Sequence, residues 1–255
     1  MAKLTQRGDF MKNRAFTLAE VLITLAIIGV VAAMTLPTLI QNQQKRSLEV
    51  ATQKFYSNMS QAVKKYMADE GVDDLRNTPL EYDWNSNLSY EENDANEAKA
   101  QEACENFVQK YLKVVKVCED GCFADNYAMQ NGEISYAIGA KSDYTGKFVL
   151  ADGSVIDIES LNCSPITLYV DINGRKGPNK IGYDLWSMHI FYDGSIDEGG
   201  VTPECKKDNK YCYIYLGNSP KEIRDSRFDM CKYEHNGAYD GCFGHFLENG
   251  FKFDY

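Results

Sequence analysis

"KNRAFTLAEVLITLAIIGVVAAMTLPTLIQNQQKR", Lys12 to Arg46, holds a single ionisable side chain, Glu20, between Phe16 and Ile40. Phe16 to Leu36 is 21 residues, close to the roughly 20 that a helix needs to cross a hydrocarbon core of about 30 Å. Lys12 and Arg14 precede this run, and no Lys or Arg follows until Lys45. The positive-inside rule therefore puts the N-terminus in the cytoplasm and the rest of the chain outside. A cleavable secretory signal has a shorter apolar core and a small-residue cleavage site. Here the run is longer, and Pro37 follows it directly.

The pattern beyond Pro37 is amphipathic. Leu48, Ala51, Phe55, Met59, Ala62 and Tyr66 step by three or four and line one helical face. The spacing predicts one helix from Phe16 to about Ala68, apolar all round in its first half and one-sided in its second. The first half suits lipid or other helices; the second suits a globular domain packed against one side. Glu20 stands out. A carboxylate inside a membrane span costs about 2.5–3.5 kcal/mol on insertion scales, so it calls for a partner. No Lys or Arg lies within helical reach on the apolar side. Cleavage before Phe16 would create a new α-amino cation for it to pair with, on a neighbouring copy.

"RAFTLAEVLITLAIIGVVAAMTLPTLI" resembles the N-terminal segment of the type IV pilin and type II secretion pseudopilin superfamily. The resemblance rests on a small residue before the cut (Ala15, where Gly is usual), Phe16 as the new N-terminus, Glu20, Gly29 and Pro37. It covers roughly residues 12–66. It implies a basic leader, residues 1–15, removed by an inner-membrane prepilin peptidase, with N-methylation of Phe16. Either Met1 or Met11 would serve as the start of that leader. It also implies pairing of Glu20 with the N-terminal amine of an adjacent subunit, and helix flexibility at Gly29 and Pro37. The expected divisions are a transmembrane helix (16–36), its amphipathic continuation (37–68) and an extracytoplasmic pilin-like domain (69–255). The expected setting is the bacterial inner membrane, single-pass, with an assembly platform and other pilin or pseudopilin subunits as partners.

All eight cysteines (Cys104, Cys118, Cys122, Cys163, Cys205, Cys212, Cys231 and Cys242) lie beyond the apolar run. An even number in that position predicts an oxidising compartment and up to four disulfides, with pairing left open. Zinc ligation is disfavoured, because there is no C-x-x-C and His189, His235 and His245 lack zinc-ligand spacing. Beyond residue 15 the chain has 23 basic against 36 acidic side chains, a balance of −13. That surface repels phosphate backbones and argues against a nucleic-acid partner.

In the remainder, residues 68–94 read as a polar loop and "EENDANEAKAQEACENFVQKYLKVVKVC" as a helix, with Ala103, Phe107, Tyr111 and Val115 spaced by four. "GKFVLADGSVIDIE" is a hairpin around Asp152-Gly153. "ITLYVDI", "YDLWSMHIFYDGSI" and "YCYIYLG" read as further strands. "SPKEIRDSRF" starts a helix, with Ser219 as N-cap, Pro220 at the first position and Glu222 completing a capping box. The fold class is α+β: a long helix packed on a meander of about four or five antiparallel strands.

"VDINGRKGPNKIGYDLW" offers Asp171, Asn173, Asn179 and Asp184 as oxygen ligands in a glycine-rich loop. Ca²⁺ is the candidate ion; the alternative is a turn in which Asx side chains cap their own backbone. G-x-S-x-G, H-E-x-x-H, G-x-G-x-x-G and Walker A patterns are absent. The resemblance to pilins and pseudopilins implies a non-enzymatic structural subunit of a type II secretion pseudopilus or a type IV pilus-like filament. A tip-located minor pilin that binds or adheres, or a DNA-uptake pseudopilin, is the alternative.

Overall fold

A computed structural model describes residues 17–82, 85–119, 121–135, 146–159, 166–207, 219–233 and 241–255. The chain divides into two compact units, Met1–Gln44 and Lys45–Tyr255. The helix α1 (Leu18–Glu70) contributes to both.

In the first unit the helix is apolar all round, and Leu22, Ile28, Val31, Met34 and Leu39 are all more than half exposed. An 18-residue window here reaches a mean hydropathy of 2.3 with none of it buried. Two of its hydroxyls bond back to the helix: Thr24 Oγ1 donates to the Val21 carbonyl and Thr35 Oγ1 to the Val31 carbonyl, both at 2.9 Å. A helix that satisfies its polar groups internally can face hydrocarbon.

The second unit is α+β. Its helices are the C-terminal part of α1, α2 (Tyr90–Tyr111), α3 (Pro203–Lys207), α4 (Pro220–Tyr233) and α5 (Cys242–Glu248). Six strands form an antiparallel sheet: β1 (Val114–Val117), β4 (Gly146–Leu150), β5 (Val155–Glu159), β6 (Ile166–Asp171), β7 (Leu185–Ile190) and β8 (Ile196–Asp197). They lie in that order, so the sheet is a meander from β4 to β8 with β1 added at the β4 edge. A separate two-stranded ladder pairs β2 (Tyr127–Ala128) with β3 (Ile134–Ser135).

Alternation along the strands builds the core. Phe148, Ile156, Val170 and Trp186 stand opposite one another across β4, β5, β6 and β7, and all four are 0% exposed. The next row, Lys147, Asp157, Tyr169 and Ser187, points to the other face. Phe55, Met59, Ala62, Val63, Tyr66 and Met67 from α1 complete the apolar cluster with the sheet. Each such burial contributes about 1.5–3 kcal/mol for the larger side chains. The predicted helical face is observed, except that Ala51 is only half-buried.

Two expectations are corrected. "LKVVKV" does not continue α2; Leu112 caps the helix and the β-branched run pairs as β1, leaving Val115 64% exposed. The stretch read as a loop, residues 68–94, gives its first residues to α1 and its last to α2, which starts at Tyr90 on a capping box of Ser89 and Glu92, and it holds a short 3-10 turn at Leu75–Asn77. The capping box of α4 is as expected: Ser219 N–H donates to Glu222 Oε2 at 2.6 Å, and Glu222 N–H to Ser219 Oγ at 3.3 Å. "YCYIYLG" lies outside the described residues.

The segment 251–255 ties the far end of the chain back to α1. Lys252 pairs with Glu49 at 2.8 Å, and Phe253 N–H donates to the other Glu49 oxygen at 3.0 Å. Tyr56 and Phe251 rings lie 5.2 Å apart. Glu198 is 0% exposed, and its carboxylate accepts the Gly241 and Gly244 N–H groups, fastening the end of β8 to the start of α5.

Candidate functional site

The first turn of α1 is the site that the sequence singles out. Ala15 and Phe16 lie outside the described residues. Glu20 is held by Thr17: its Oε2 accepts the Thr17 N–H at 2.8 Å and the Thr17 hydroxyl at 2.8 Å, while Thr17 Oγ1 accepts the Glu20 N–H at 3.2 Å. This is a capping box, T-x-x-E, which satisfies donors at the helix start that have no partner within the helix. Its signal in the sequence is Thr17 three residues before Glu20, a spacing that a search for cationic partners does not register. Only Oε2 is used, so Oε1 remains open among the described residues.

Gly29 would meet nothing within 4 Å if it carried a Cβ, so packing within this chain does not require glycine there. Pro37 lies inside α1 without ending it. It removes one backbone donor and weakens that turn. Both residues fit a helix that bends.

The loop between β6 and β7 gathers Asp171 and Asp184. Asp171 Oδ2 accepts the Tyr127 hydroxyl at 2.6 Å, and its Oδ1 accepts the Asn173 N–H at 3.1 Å. Asp184 accepts the Asn179 N–H at 2.7 Å and the Lys180 N–H at 2.6 Å. Asn173 Nδ2 donates to the Gly177 carbonyl at 3.1 Å. Both aspartates are fully buried. Burial, and then the Asp184 charge, push Asp171 up to about 7 against the Tyr127 hydrogen bond. Burial likewise raises Asp184, opposed by its backbone donors.

Every carboxylate oxygen of the pair thus serves a donor in the protein. That is the Asx-capped turn, with Tyr127 as an added clamp from 44 residues away. The fit to Ca²⁺, which wants six to eight oxygens, is poor. The spare acceptors in the loop are the buried side-chain oxygens of Asn173 and Asn179, which have no partner. Among the described residues there is no group of three or more His, Cys, Asp and Glu side chains that could hold a metal.

The cysteines divide. Cys118 is bonded to Cys122, and Cys231 to Cys242. Cys205 is also disulfide-bonded. Cys163 and Cys212 lie outside the described residues. Cys104, counted with the candidates, is instead a free thiol, 0% exposed in the core, and burial pushes it up to about 12. It is an inert packing residue at neutral pH. His189 packs across strands opposite Thr167, with 3.4 Å between Nδ1 and the hydroxyl.

Comparison with known proteins gives two family matches. Residues 10–36 match the prokaryotic N-terminal methylation motif, the prepilin-type sequence of type IV pilins and pseudopilins. It implies processing by a prepilin peptidase and assembly with other pilin-type subunits. With one N-terminal apolar helix, it suits a single-pass inner-membrane anchor. No curated protein and no solved structure matches the chain. The second match runs over residues 38–192, from just past Pro37 through β7. It covers more than half of the chain, which therefore belongs to the family of unknown function DUF6613, headed here by a prepilin-type methylation motif.

Proposed function

We propose that this chain is a non-enzymatic structural subunit of a type II secretion pseudopilus or type IV pilus-like filament. Prepilin peptidase cuts between Ala15 and Phe16, and Phe16 is N-methylated. The single observation that carries this reading is the methylation motif at residues 10–36, set on a span whose one charge is Glu20.

The geometry of Glu20 supports the assembly step. Oε2 holds the first turn through Thr17, which stays in the chain after cleavage. Oε1 is left to accept the α-ammonium of a neighbouring subunit, in surroundings where a charge-assisted hydrogen bond is strong. The span anchors the subunit in the inner membrane before assembly and lies among other spans afterwards. The net charge of −10 weighs against a role in DNA uptake.

Mass spectrometry of the mature N-terminus tests cleavage. The expected species begins at methylated Phe16, and a chain beginning elsewhere defeats the reading. Glu20→Ala is expected to leave membrane insertion intact while filament incorporation falls; normal incorporation would remove the pairing role.

A further inference from the structure

A groove of about 600 Å³ opens on the second unit between α1, the C-terminal end of α2 and the β4–β5 turn. Phe55, Met59 and Leu150 give it an apolar floor, and Lys54, Lys65 and Lys113 stand around it. Among the described residues, Lys54 and Lys113 are in no ion pair. Asp152 is the acidic residue on the rim, and its carboxylate is turned to its own hairpin, accepting from Ser154 N–H at 3.1 Å and Ser154 Oγ at 2.6 Å. A basic, apolar-floored groove is unexpected in a chain of net charge −10.

The complementary feature stands at the other end of α2. Tyr90 is 74% exposed, and its neighbours Glu91 and Glu92 are exposed as well. Helix α2 has 22 residues, so the first turn stands roughly 30 Å along the helix from Tyr111 at the groove. A knob and a socket at opposite ends of one helix cannot meet within one copy. Between copies they make a head-to-tail contact, the kind that propagates into open filaments. An aromatic side chain in an apolar pocket, ringed by charge, has the composition of an interface anchor.

We propose that the first turn of α2, with Tyr90 as anchor and Glu91 and Glu92 beside it, seats in the lysine-rimmed groove of a second copy of this chain. The proposal rests on the filament-subunit reading and names a contact within it. Tyr90 fills the pocket over Met59 and Leu150, while Glu91 faces Lys54 and Lys113 and Glu92 holds the turn through Ser89.

Cysteine cross-linking of the full chain in membranes tests this. The double variant Ser86→Cys, Asn58→Cys, which keeps Tyr90 in place, is expected to give a ladder of dimers, trimers and higher species under mild oxidation. A mixture of the two single variants should give dimers only, and neither single variant alone should cross-link. Adding Lys54→Glu and Lys113→Glu should lower the yield at least tenfold, and adding Glu91→Lys, which leaves the Ser89–Glu92 capping box in place, should recover part of it. Absence of the ladder overturns the proposal. If Glu20-dependent filament assembly is intact it falls alone; if assembly is also absent, the filament reading falls with it. Cross-linking of either single variant to itself, or to a protein of different mass, overturns the assigned occupant.

Discussion

The pair Asp171 and Asp184 makes the stability of the second unit depend on pH in a direction opposite to ordinary acid denaturation. Asp171 lies near 7 in the folded chain because it is buried beside a second buried carboxylate. In the unfolded chain it returns to about 3.9. The folded state therefore binds a proton that the unfolded state has released over most of pH 4–7. The contribution is fully present below about pH 4 and is lost as pH rises through 7. Three units at 1.36 kcal/mol each give an upper bound of about 4 kcal/mol. Asp184, raised by the same burial, adds in the same direction. The carboxylates with depressed values, Asp74 beside Arg76 and Glu222 in its capping box, contribute stability that is lost only as pH falls below their ordinary range near 4. The two effects occupy separate windows.

Thermal melts of the detergent-solubilised full chain at pH 5.0, 6.0, 7.0 and 8.0 read this slope. Buried Trp186 provides a fluorescence signal for the second unit. A loss of about 2–4 kcal/mol corresponds to a fall of roughly 5–15 °C for a domain of this size. Asp171→Asn holds the site neutral at every pH and keeps an acceptor for the Tyr127 hydroxyl. Its melting temperature should fall much less than that of the wild type between pH 5 and 8, the slope that remains being that of Asp184. A wild-type curve that is flat or rises toward pH 8, or an Asp171→Asn variant that keeps the wild-type slope, would refute the argument from burial.

Gly241→Ala should be severe, because the added Cβ would run into the Arg227 carbonyl at a φ of +98°. Loss of more than about 3 kcal/mol is expected, whereas Gly132→Ala, at φ +88° with open space, should cost only about 1–2; equal melting temperatures would contradict the contrast. Millimolar Ca²⁺ should shift the melting temperature by less than about 1 °C, because a ligand bound only by the folded state must raise it. A larger rise reversed by chelator would assign the loop to a cation after all.

The legible parts of the sequence were those with a local signal. The helical face from Leu48 to Tyr66, the Asp152-Gly153 turn and the Ser219–Glu222 cap all declare themselves within a few residues. β1 did not, because Phe107, Tyr111 and Val115 step by four while Val114, Val115 and Val117 favour a strand, and only the β4 edge decides between them. Tyr127 reaching Asp171 and Glu198 reaching Gly244 span 44 and 46 residues, and no window contains both partners. Loop 171–184 was recognised as a gathering of oxygens, yet its use depended on where the donors stand.

Glu20 shows the same limit from the other side. Its partner was in plain view three residues away, but as a hydroxyl and an N–H instead of a cation. A lone carboxylate near the end of an apolar span is therefore not an unpaired charge. It occupies a helix start, where backbone donors have no carbonyl of their own and the dipole favours a negative group. Those donors lower the cost of placing it there before any neighbour arrives. The free Oε1 leaves one further bond to make, and cleavage before Phe16 would supply a cation for it. Thr17 and Glu20 both lie beyond the proposed cut, so the same box would be available before and after processing, and the new amine would meet a carboxylate already held by its first turn.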